Sequence, residues 1–255
     1  MRFRCGVRCL VRRALAASLL AGLFVATPAA TTIAILRTSN ELVIAADSLM
    51  RLYDGRPQQA CKIRRHGDVV FATAGLVVSS EGILDLPQVI TDVLRRPVTW
   101  TEHVQTIEDR LQEPLLRTLR RLRRELPDEF QQRILQGFVL HVTLAAFRYG
   151  HPVLEMRDFF VETNGPNELR IRVKRMSCPG QCPRETEVFG VGETEAMMRA
   201  VRETRQFPPD LAAFGRDLVM RQIRSTPEFV GPPVDVIRIA ADGVHWVNRK
   251  PSCPA

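Results

Sequence analysis

Four residues near the start of the chain have the types and spacing that an N-terminal threonine nucleophile needs. Thr31 lies in TPAATTIAIL, Asp47 in IAADS, Lys62 in CKIRR and Gly75 in FATAGL. A threonine hydroxyl is a weak nucleophile and requires a base close to it. A threonine that begins a chain carries that base itself, because a free α-amine has a pKa near ~7.7–8.0 and is partly neutral at working pH.

The other three residue types support that chemistry. A lysine ammonium near the amine disfavours its protonation and so lowers the pKa of the amine. An aspartate paired with the lysine keeps the lysine charged and oriented. A backbone N–H at a glycine can hold the developing oxyanion, which contributes about 2.7–4 kcal/mol per donor. We therefore interpret Thr31 as nucleophile and base, Lys62 and Asp47 as its electrostatic support, and Gly75 as the oxyanion site.

The first 30 residues provide a way to expose Thr31. MRFRCGVRCLVRR carries five arginines and no acid, ALAASLLAGLFVA is apolar, and TPAA ends in small residues. This order is typical of a secretory signal peptide, and the apolar run is shorter than the ~20 residues that span a bilayer. We predict a cleaved signal peptide over residues 1–30, a periplasmic or secreted protein without a stable membrane anchor, and one domain over residues 31–255. An uncleaved anchor is the alternative.

The position of the cut decides whether Thr31 becomes the first residue. Cutting after Ala30 exposes Thr31 directly, whereas cutting after Ala29 fits the small-residue rule better and leaves Ala30 on the threonine amine. The net charge of +8 falls to +3 when the five leader arginines are removed (8 − 5 = 3). This modest charge gives no case for nucleic acid as a partner.

The quoted motifs resemble those of the proteasome β subunits, a family of N-terminal nucleophile (Ntn) hydrolases that includes the bacterial HslV. In that family the aspartate follows the threonine by sixteen residues, as Asp47 follows Thr31. The lysine follows by thirty-two, whereas Lys62 follows Thr31 by thirty-one. The resemblance implies an α+β fold, a four-layer αββα sandwich that assembles into a homo-oligomeric ring. It also implies a substrate pocket beside the nucleophile, with core packing as the alternative for the same residues: Met50, Ala60, Thr73 and Val77.

Three positions depart from the family pattern. Val191, in GVG, stands where the family often has a serine, and a supporting aspartate before the last hairpin has no clear match, with Ser225 and Glu228 nearest. Ala30 replaces the glycine that precedes the threonine in self-cleaving relatives, which suits signal peptidase better. The departures at Val191 and at the supporting aspartate leave open the alternative that this chain is a subunit whose catalytic site has decayed.

The leading functional prediction is an exported threonine-type amide hydrolase, a peptidase acting on short or unfolded peptides. No phosphate-binding loop of the Walker type is present, and an exported enzyme meets little ATP. We therefore expect neither a cofactor nor an unfolding ATPase partner. The alternatives are a catalytically decayed ring-forming or scaffold subunit, and an acylase or amidase that acts on a small molecule.

The cysteines remaining after residue 30 form an even set: Cys61, Cys178, Cys182 and Cys253. An exported protein permits disulfides, and the PGQ turn in SCPGQCP favours a bond between Cys178 and Cys182. Four unpaired thiols are the alternative. A zinc site is less favoured, because no short spacing of His and Cys ligands occurs.

The hydrophobic patterns predict strands, then helices, then strands, helices and strands, an order typical of α+β proteins. Two hairpins are expected around the TSN turn and around His66-Gly67. A helix is expected to follow the capping box of Thr99 and Glu102, with a kink at Pro114. Its arginine-rich end, RTLRRLRREL, is interpreted as a solvated face, with contact to anionic lipid or a neighbouring subunit as the alternative.

Overall fold

A computed structural model describes residues 31–51, 56–78, 82–165 and 168–253 of the chain. The proposed signal peptide, including Ala30, lies outside the described residues. The strands are β1 (Thr32–Arg37), β2 (Glu41–Ala46), β3 (Leu49–Arg51), β4 (Pro57–Gln59), β5 (Ile63–His66), β6 (Val69–Gly75), β7 (Phe138–Arg148), β8 (His151–Asn164), β9 (Glu168–Cys178), β10 (Glu187–Gly192), β11 (Asp235–Ala240) and β12 (Gly243–Asn248). The helices are α1 (Leu86–Leu94), α2 (Trp100–Glu125), α3 (Pro127–Glu129), α4 (Glu195–Glu203) and α5 (Leu211–Ser225), with a π-helical turn at Phe130–Ile134.

The strands form two five-stranded sheets and one two-stranded ribbon. The first sheet has the order β10-β1-β2-β11-β12, the second has the order β5-β6-β7-β8-β9, and β3 pairs with β4. The strand pairs in all three are antiparallel. Antiparallel sheets with helices in separate blocks confirm the α+β prediction. The first sheet places β1 between β10 and β2, so the strand that follows Thr31 is interior.

Both expected hairpins form. In the first, β1 and β2 pair in the register Ile33↔Ala46 to Arg37↔Leu42, and the Thr38 backbone N–H donates to the Glu41 carbonyl at 2.9 Å to close the turn. In the second, β5 and β6 pair around the turn at Gly67. These two hairpins matter for the site, because Asp47 comes directly after β2 and Lys62 directly before β5.

Three buried apolar clusters hold the sheets and helices together. The outer cluster of the second sheet joins α1 and α2 to β6, β7 and β8. The inter-sheet cluster contains residues of both five-stranded sheets, such as Ile44 and Leu154. The outer cluster of the first sheet joins α4 and α5 to β1 and β2. Helices therefore contribute to two of these clusters, and residues of both five-stranded sheets form the third.

Helix α2 begins at the predicted capping box and contains Pro114; the kink at this proline stays a prediction. The Thr99 hydroxyl accepts from the Glu102 N–H at 3.3 Å, and the Glu102 carboxylate accepts from the Thr99 N–H at 2.9 Å. The helix continues without interruption through Pro114 to Glu125. The hydrophobic pattern did not predict the separate helix at Leu86–Leu94. Asp85 caps this helix, because its carboxylate accepts from the Gln88 N–H at 3.0 Å.

The arginine-rich end of α2 has a solvated face. Arg117 is 58% exposed and lies 3.5 Å from Glu113, one turn away, and Arg121 contacts Glu125 at 2.7 Å. Leu115 and Leu119 on the opposite side are fully buried. The amphipathic interpretation of RTLRRLRREL therefore agrees with the structure. Within the described residues, none of the helices combines the length and apolar character needed to cross a bilayer.

The described residues contain two disulfides, and the loops that these bonds close differ greatly in length. Cys178 and Cys182 are four residues apart, with a Cα–Cα distance of 5.2 Å. Cys61 and Cys253 are 192 residues apart, with a Cα–Cα distance of 5.6 Å. The pairing of Cys61 with Cys253 was not predicted from the sequence, because only the fold brings the C-terminal segment to β5.

We expect Cys253→Ser to lower the free energy of unfolding more than Cys182→Ser does. In the chain-entropy description a disulfide stabilises by restricting the unfolded chain, and the longer loop is worth about 3 kcal/mol more. Urea denaturation of the oxidised variants measures the difference, and unfolding of the fully reduced wild type provides the common reference. Equal losses in the two variants would contradict the expectation.

Candidate active site

Thr31 lies at the entrance to β1, held by the end of β10. Its side chain and backbone are buried, and its carbonyl accepts from the Glu193 N–H at 2.8 Å. The next residue, Thr32, donates its hydroxyl to the Glu193 carbonyl at 2.5 Å. Gly192 has a φ of +81°, and a Cβ there would lie 1.9 Å from the Thr31 carbonyl oxygen. A glycine is therefore required at this point for β10 to approach Thr31.

Asp47 is the centre of the site. It is fully buried, and each of its two carboxylate oxygens accepts two hydrogen bonds. Oδ1 accepts from the Thr32 N–H at 2.7 Å and from Lys62 Nζ at 2.6 Å. Oδ2 accepts from the N–H groups of Leu49 at 3.0 Å and Gly231 at 3.2 Å. Four hydrogen-bond donors to one carboxylate fix its position.

Lys62 is the cationic partner of Asp47. Its side chain is 6% exposed, and its pKa lies below the ordinary 10.5. Burial is the largest cause of this lowering, the charge and hydrogen bond of Asp47 act in the opposite direction, and the charge of Lys250 lowers the pKa further. The Lys62 carbonyl accepts from the Thr73 N–H at 3.1 Å, which ties the lysine to β6.

Gly75 ends β6 in a conformation that favours glycine. Its φ is +89°, and a Cβ at this position would lie 2.4 Å from the carbonyl oxygen of Val139 in β7. The N–H of Leu76 donates to that same carbonyl at 2.9 Å. Gly75 thus lies two residues beyond Thr73, on the strand that is hydrogen-bonded to Lys62. Its role as an oxyanion donor stays a prediction.

The four residues expected beside the nucleophile lie on separate segments. Met50 is in β3, and Ala60 lies between β4 and β5. Thr73 is buried in β6, and Val77 packs against the outer cluster of the second sheet. The Ala60 carbonyl accepts a hydrogen bond from Lys250 Nζ at 2.6 Å.

The positions that depart from the family pattern have plain structural roles. Val191 pairs with Ile33 and is buried in the inter-sheet cluster, so its side chain contributes to packing. Ser225 is the exposed last residue of α5, and Glu228 is exposed in the segment that follows. The same segment supplies the Gly231 N–H to Asp47, so it supports the carboxylate through its backbone.

A second buried ion pair lies beside Asp47 and Lys62. Its residues were not among those predicted from the sequence. Lys250 Nζ is 2.7 Å from Asp235 Oδ2, and both side chains are almost fully buried. Lys250 also contacts Ser48, the residue after Asp47, at 2.5 Å between Nζ and Oγ. The lysine content could have indicated Lys250 as a candidate site residue, because the chain has only three lysines and two of them lie in this cluster.

Comparison with known proteins identifies a shared fold. No known protein-family profile matches the sequence, and no curated protein matches it. The fold is similar to that of a mutant of Anbu from Hyphomicrobium sp. strain MC1, with a TM-score of 0.54 and 14% sequence identity. The match covers 86% of each chain. Likeness at this identity extends to the fold alone, so the roles of individual residues depend on the geometry described above.

Proposed function

We propose that this chain, when Thr31 is its first residue, is a threonine-type amide hydrolase that cleaves short or unfolded peptides without ATP. One observation carries the proposal: Asp47 Oδ1 binds both Lys62 Nζ and the N–H of Thr32, the residue after the candidate nucleophile. A buried charge pair therefore lies within one residue of Thr31. The ammonium of such a pair can lower the pKa of a neighbouring amine, while the carboxylate holds the lysine in place.

The shared fold supports the same proposal. The fold similarity to Anbu extends over 86% of this chain, and the motifs around Thr31 resemble those of the proteasome β subunits. For this chain we propose the four-layer αββα arrangement and a homo-oligomeric ring. The three apolar clusters support the layer order, because helices pack on the outer face of each five-stranded sheet.

In the proposed reaction, the neutral α-amine of Thr31 takes the proton of the Thr31 hydroxyl as Oγ1 attacks the substrate carbonyl carbon. The negative charge that develops on the carbonyl oxygen is held by the N–H of Gly75. The protonated amine then gives its proton to the leaving nitrogen as the C–N bond breaks. Water attacks the resulting ester, the amine again takes a proton, and Oγ1 leaves with that proton.

We propose that export makes the site available by removing residues 1–30. The disulfides Cys61–Cys253 and Cys178–Cys182 support an oxidising location. Lys62 is adjacent to Cys61, so the longer disulfide also fastens the C-terminal segment beside the site.

We expect a chain that retains Ala30 to be inactive until that residue is removed. An amine in a peptide bond has no lone pair available to accept the hydroxyl proton, so the base would be missing. A cleavable fusion can release two proteins, one starting at Thr31 and one starting at Ala30. Both are assayed against a panel of fluorogenic peptides, and both N-termini are verified by mass spectrometry.

The form starting at Thr31 should hydrolyse at least one peptide, and the form starting at Ala30 should hydrolyse none. Thermal unfolding of both forms serves as the folding control. Full activity in the chain that retains Ala30 would rule out the amine of Thr31 as the base. Absence of hydrolysis by either folded form would count against the peptidase proposal.

A further inference from the structure

Lys250 is a buried cation whose hydrogen-bonding capacity is fully used. Its side chain is 1% exposed, and it follows β12 near the end of the chain. Nζ contacts Asp235 Oδ2 at 2.7 Å, Ser48 Oγ at 2.5 Å and the Ala60 carbonyl at 2.6 Å. A lysine ammonium has three N–H donors, so these three acceptors satisfy it completely.

Two of those acceptors belong to the segments that carry Asp47 and Lys62. Ser48 directly follows Asp47, and Ala60 precedes Lys62 by two residues. The Ala60 N–H also donates to the Ser48 carbonyl at 2.8 Å. Lys250 therefore reinforces a contact between the two segments from a third part of the chain.

The segment that carries Lys250 is held from both sides. The Lys250 N–H donates to Asp235 Oδ1 at 2.8 Å, so one aspartate binds both ends of this residue. Three residues later, Cys253 is joined to Cys61, the neighbour of Lys62. The Cys253 N–H also donates to the Lys250 carbonyl at 3.2 Å. These contacts leave the ammonium little freedom to move away from Ser48 and Ala60.

A buried ion pair is weak evidence for stability. Replacing such a pair by apolar residues of similar volume is often neutral or stabilising, because two charges lose their hydration. The location of this pair beside a second buried pair points to an effect on that neighbour.

On the proposed function, we propose that Lys250 is a positioning residue for the Thr31 site, holding the Asp47 segment against the Lys62 segment while Asp235 balances its charge. Within the described part of the chain, Lys250 makes no direct contact with Thr31 or Asp47. It acts through Ser48 and Ala60, and through its charge on Lys62.

The charges around Lys62 give the expected direction of the electrostatic effect. Asp47 raises the pKa of Lys62, while burial and the charge of Lys250 lower it. In the mature chain the amine of Thr31 would be a further cation when protonated. Removal of Lys250 is therefore expected to raise the pKa of Lys62, and to raise that of the Thr31 amine in the same direction.

The experiment uses the oxidised chain that starts at Thr31, grown with lysine labelled with carbon-13 at Cε. Because the chain holds only Lys62, Lys174 and Lys250, three signals are expected and each is assigned by a Lys→Met variant. The variants are Lys250→Met and the charge-balanced pair Lys250→Met with Asp235→Asn. The double variant leaves no unpaired buried charge, so it keeps the test available if the single variant fails to fold. Lys174→Met, at an exposed position on β9, is the matched control.

In the folded Lys250 variants we expect the Lys62 signal to titrate at higher pH than in wild type. We expect kcat for peptide hydrolysis to fall by about 10- to 100-fold, because small displacements of catalytic groups are costly. KM should be unchanged, since Lys250 has no expected contact with substrate, and the acid limb of the kcat profile should move to higher pH. Lys174→Met should change none of these quantities.

An unchanged Lys62 titration together with an unchanged kcat in the folded double variant would overturn the proposal. Equal falls in kcat and in folded fraction, with no shift of the Lys62 titration or of the pH profile, would also overturn it in favour of a purely structural role. If wild type hydrolyses none of the peptides, the function proposed above fails. The Lys62 titration then still decides whether Lys250 acts on this cluster.

Discussion

Replacing Thr31 with alanine, in a chain released with residue 31 as its first residue, is expected to lower kcat by about 10⁶-fold, as removal of the nucleophile does in a serine protease. The alanine variant keeps the α-amine but has no hydroxyl to attack the substrate. Its fold should be intact, because Thr31 is hydrogen-bonded to Glu193 through its backbone carbonyl, which the alanine variant keeps. The measurement is the hydrolysis rate on the peptide panel, with circular dichroism to verify folding.

Two further variants make this comparison specific. Thr31→Ser keeps a hydroxyl on the same carbon, so hydrolysis should remain measurable. Thr101→Ala removes a threonine from an exposed position in the first turn of α2, so its rate should equal that of wild type. Hydrolysis by Thr31→Ala at the wild-type rate would assign the activity to another residue and would end the threonine mechanism proposed here.

Replacing Lys62 with methionine is expected to damage both stability and hydrolysis. The stability loss should be about 3–5 kcal/mol, because the fully buried Asp47 loses its cationic partner. Hydrolysis at pH 7 should fall by about 10²–10⁴-fold, the usual contribution of a supported general base. Without the ammonium, the pKa of the Thr31 amine should rise toward its ordinary value near ~7.7–8.0. A smaller fraction of the amine is then neutral at pH 7, so the acid limb of activity moves to higher pH.

A double variant separates the catalytic effect of Lys62 from its structural effect. Lys62→Met combined with Asp47→Asn leaves no unpaired charge, and the asparagine oxygen can still accept from the Thr32 N–H. We expect the double variant to regain much of the lost stability without regaining hydrolysis. Urea denaturation and peptide assays across pH measure the two effects, with Lys174→Met as the exposed-lysine control. Recovery of activity along with stability would show that the lysine acts only in folding.

The sequence by itself determined the parts of the site that depend on short-range patterns. The hairpins β1–β2 and β5–β6 follow from apolar runs on either side of turn residues, and they place Asp47 and Lys62 at strand ends. Spacing along the chain is sufficient here because consecutive strands of a hairpin pair with each other. The capping box of α2 is likewise local, since Thr99 and Glu102 are three residues apart.

Helices were less well determined where their signals were weak or in conflict. Helix α1 is only nine residues long, so its apolar residues Leu86, Ile90 and Val93 repeat over little more than two turns. A proline is unfavourable inside a helix, yet α2 continues through Pro114. Its buried stripe, which includes Ile107, Leu111 and Leu115, packs against the sheet on both sides of the proline. Tertiary packing therefore decides the length of this helix.

Only the tertiary structure decided the contacts that complete the site. Asp235 and Lys250 join the cluster around Asp47, Ser48, Ala60 and Lys62. Cys253 bonds to a cysteine 192 residues earlier. The Glu193 backbone binds Thr31 and Thr32 because β10 pairs with β1 across more than half of the chain. No local pattern encodes such pairs: they depend on which strands become neighbours in the sheet, and burial then makes each lone charge require a partner. The sequence therefore determined the residue types of the nucleophile site, and the fold determined which distant residues hold them in place.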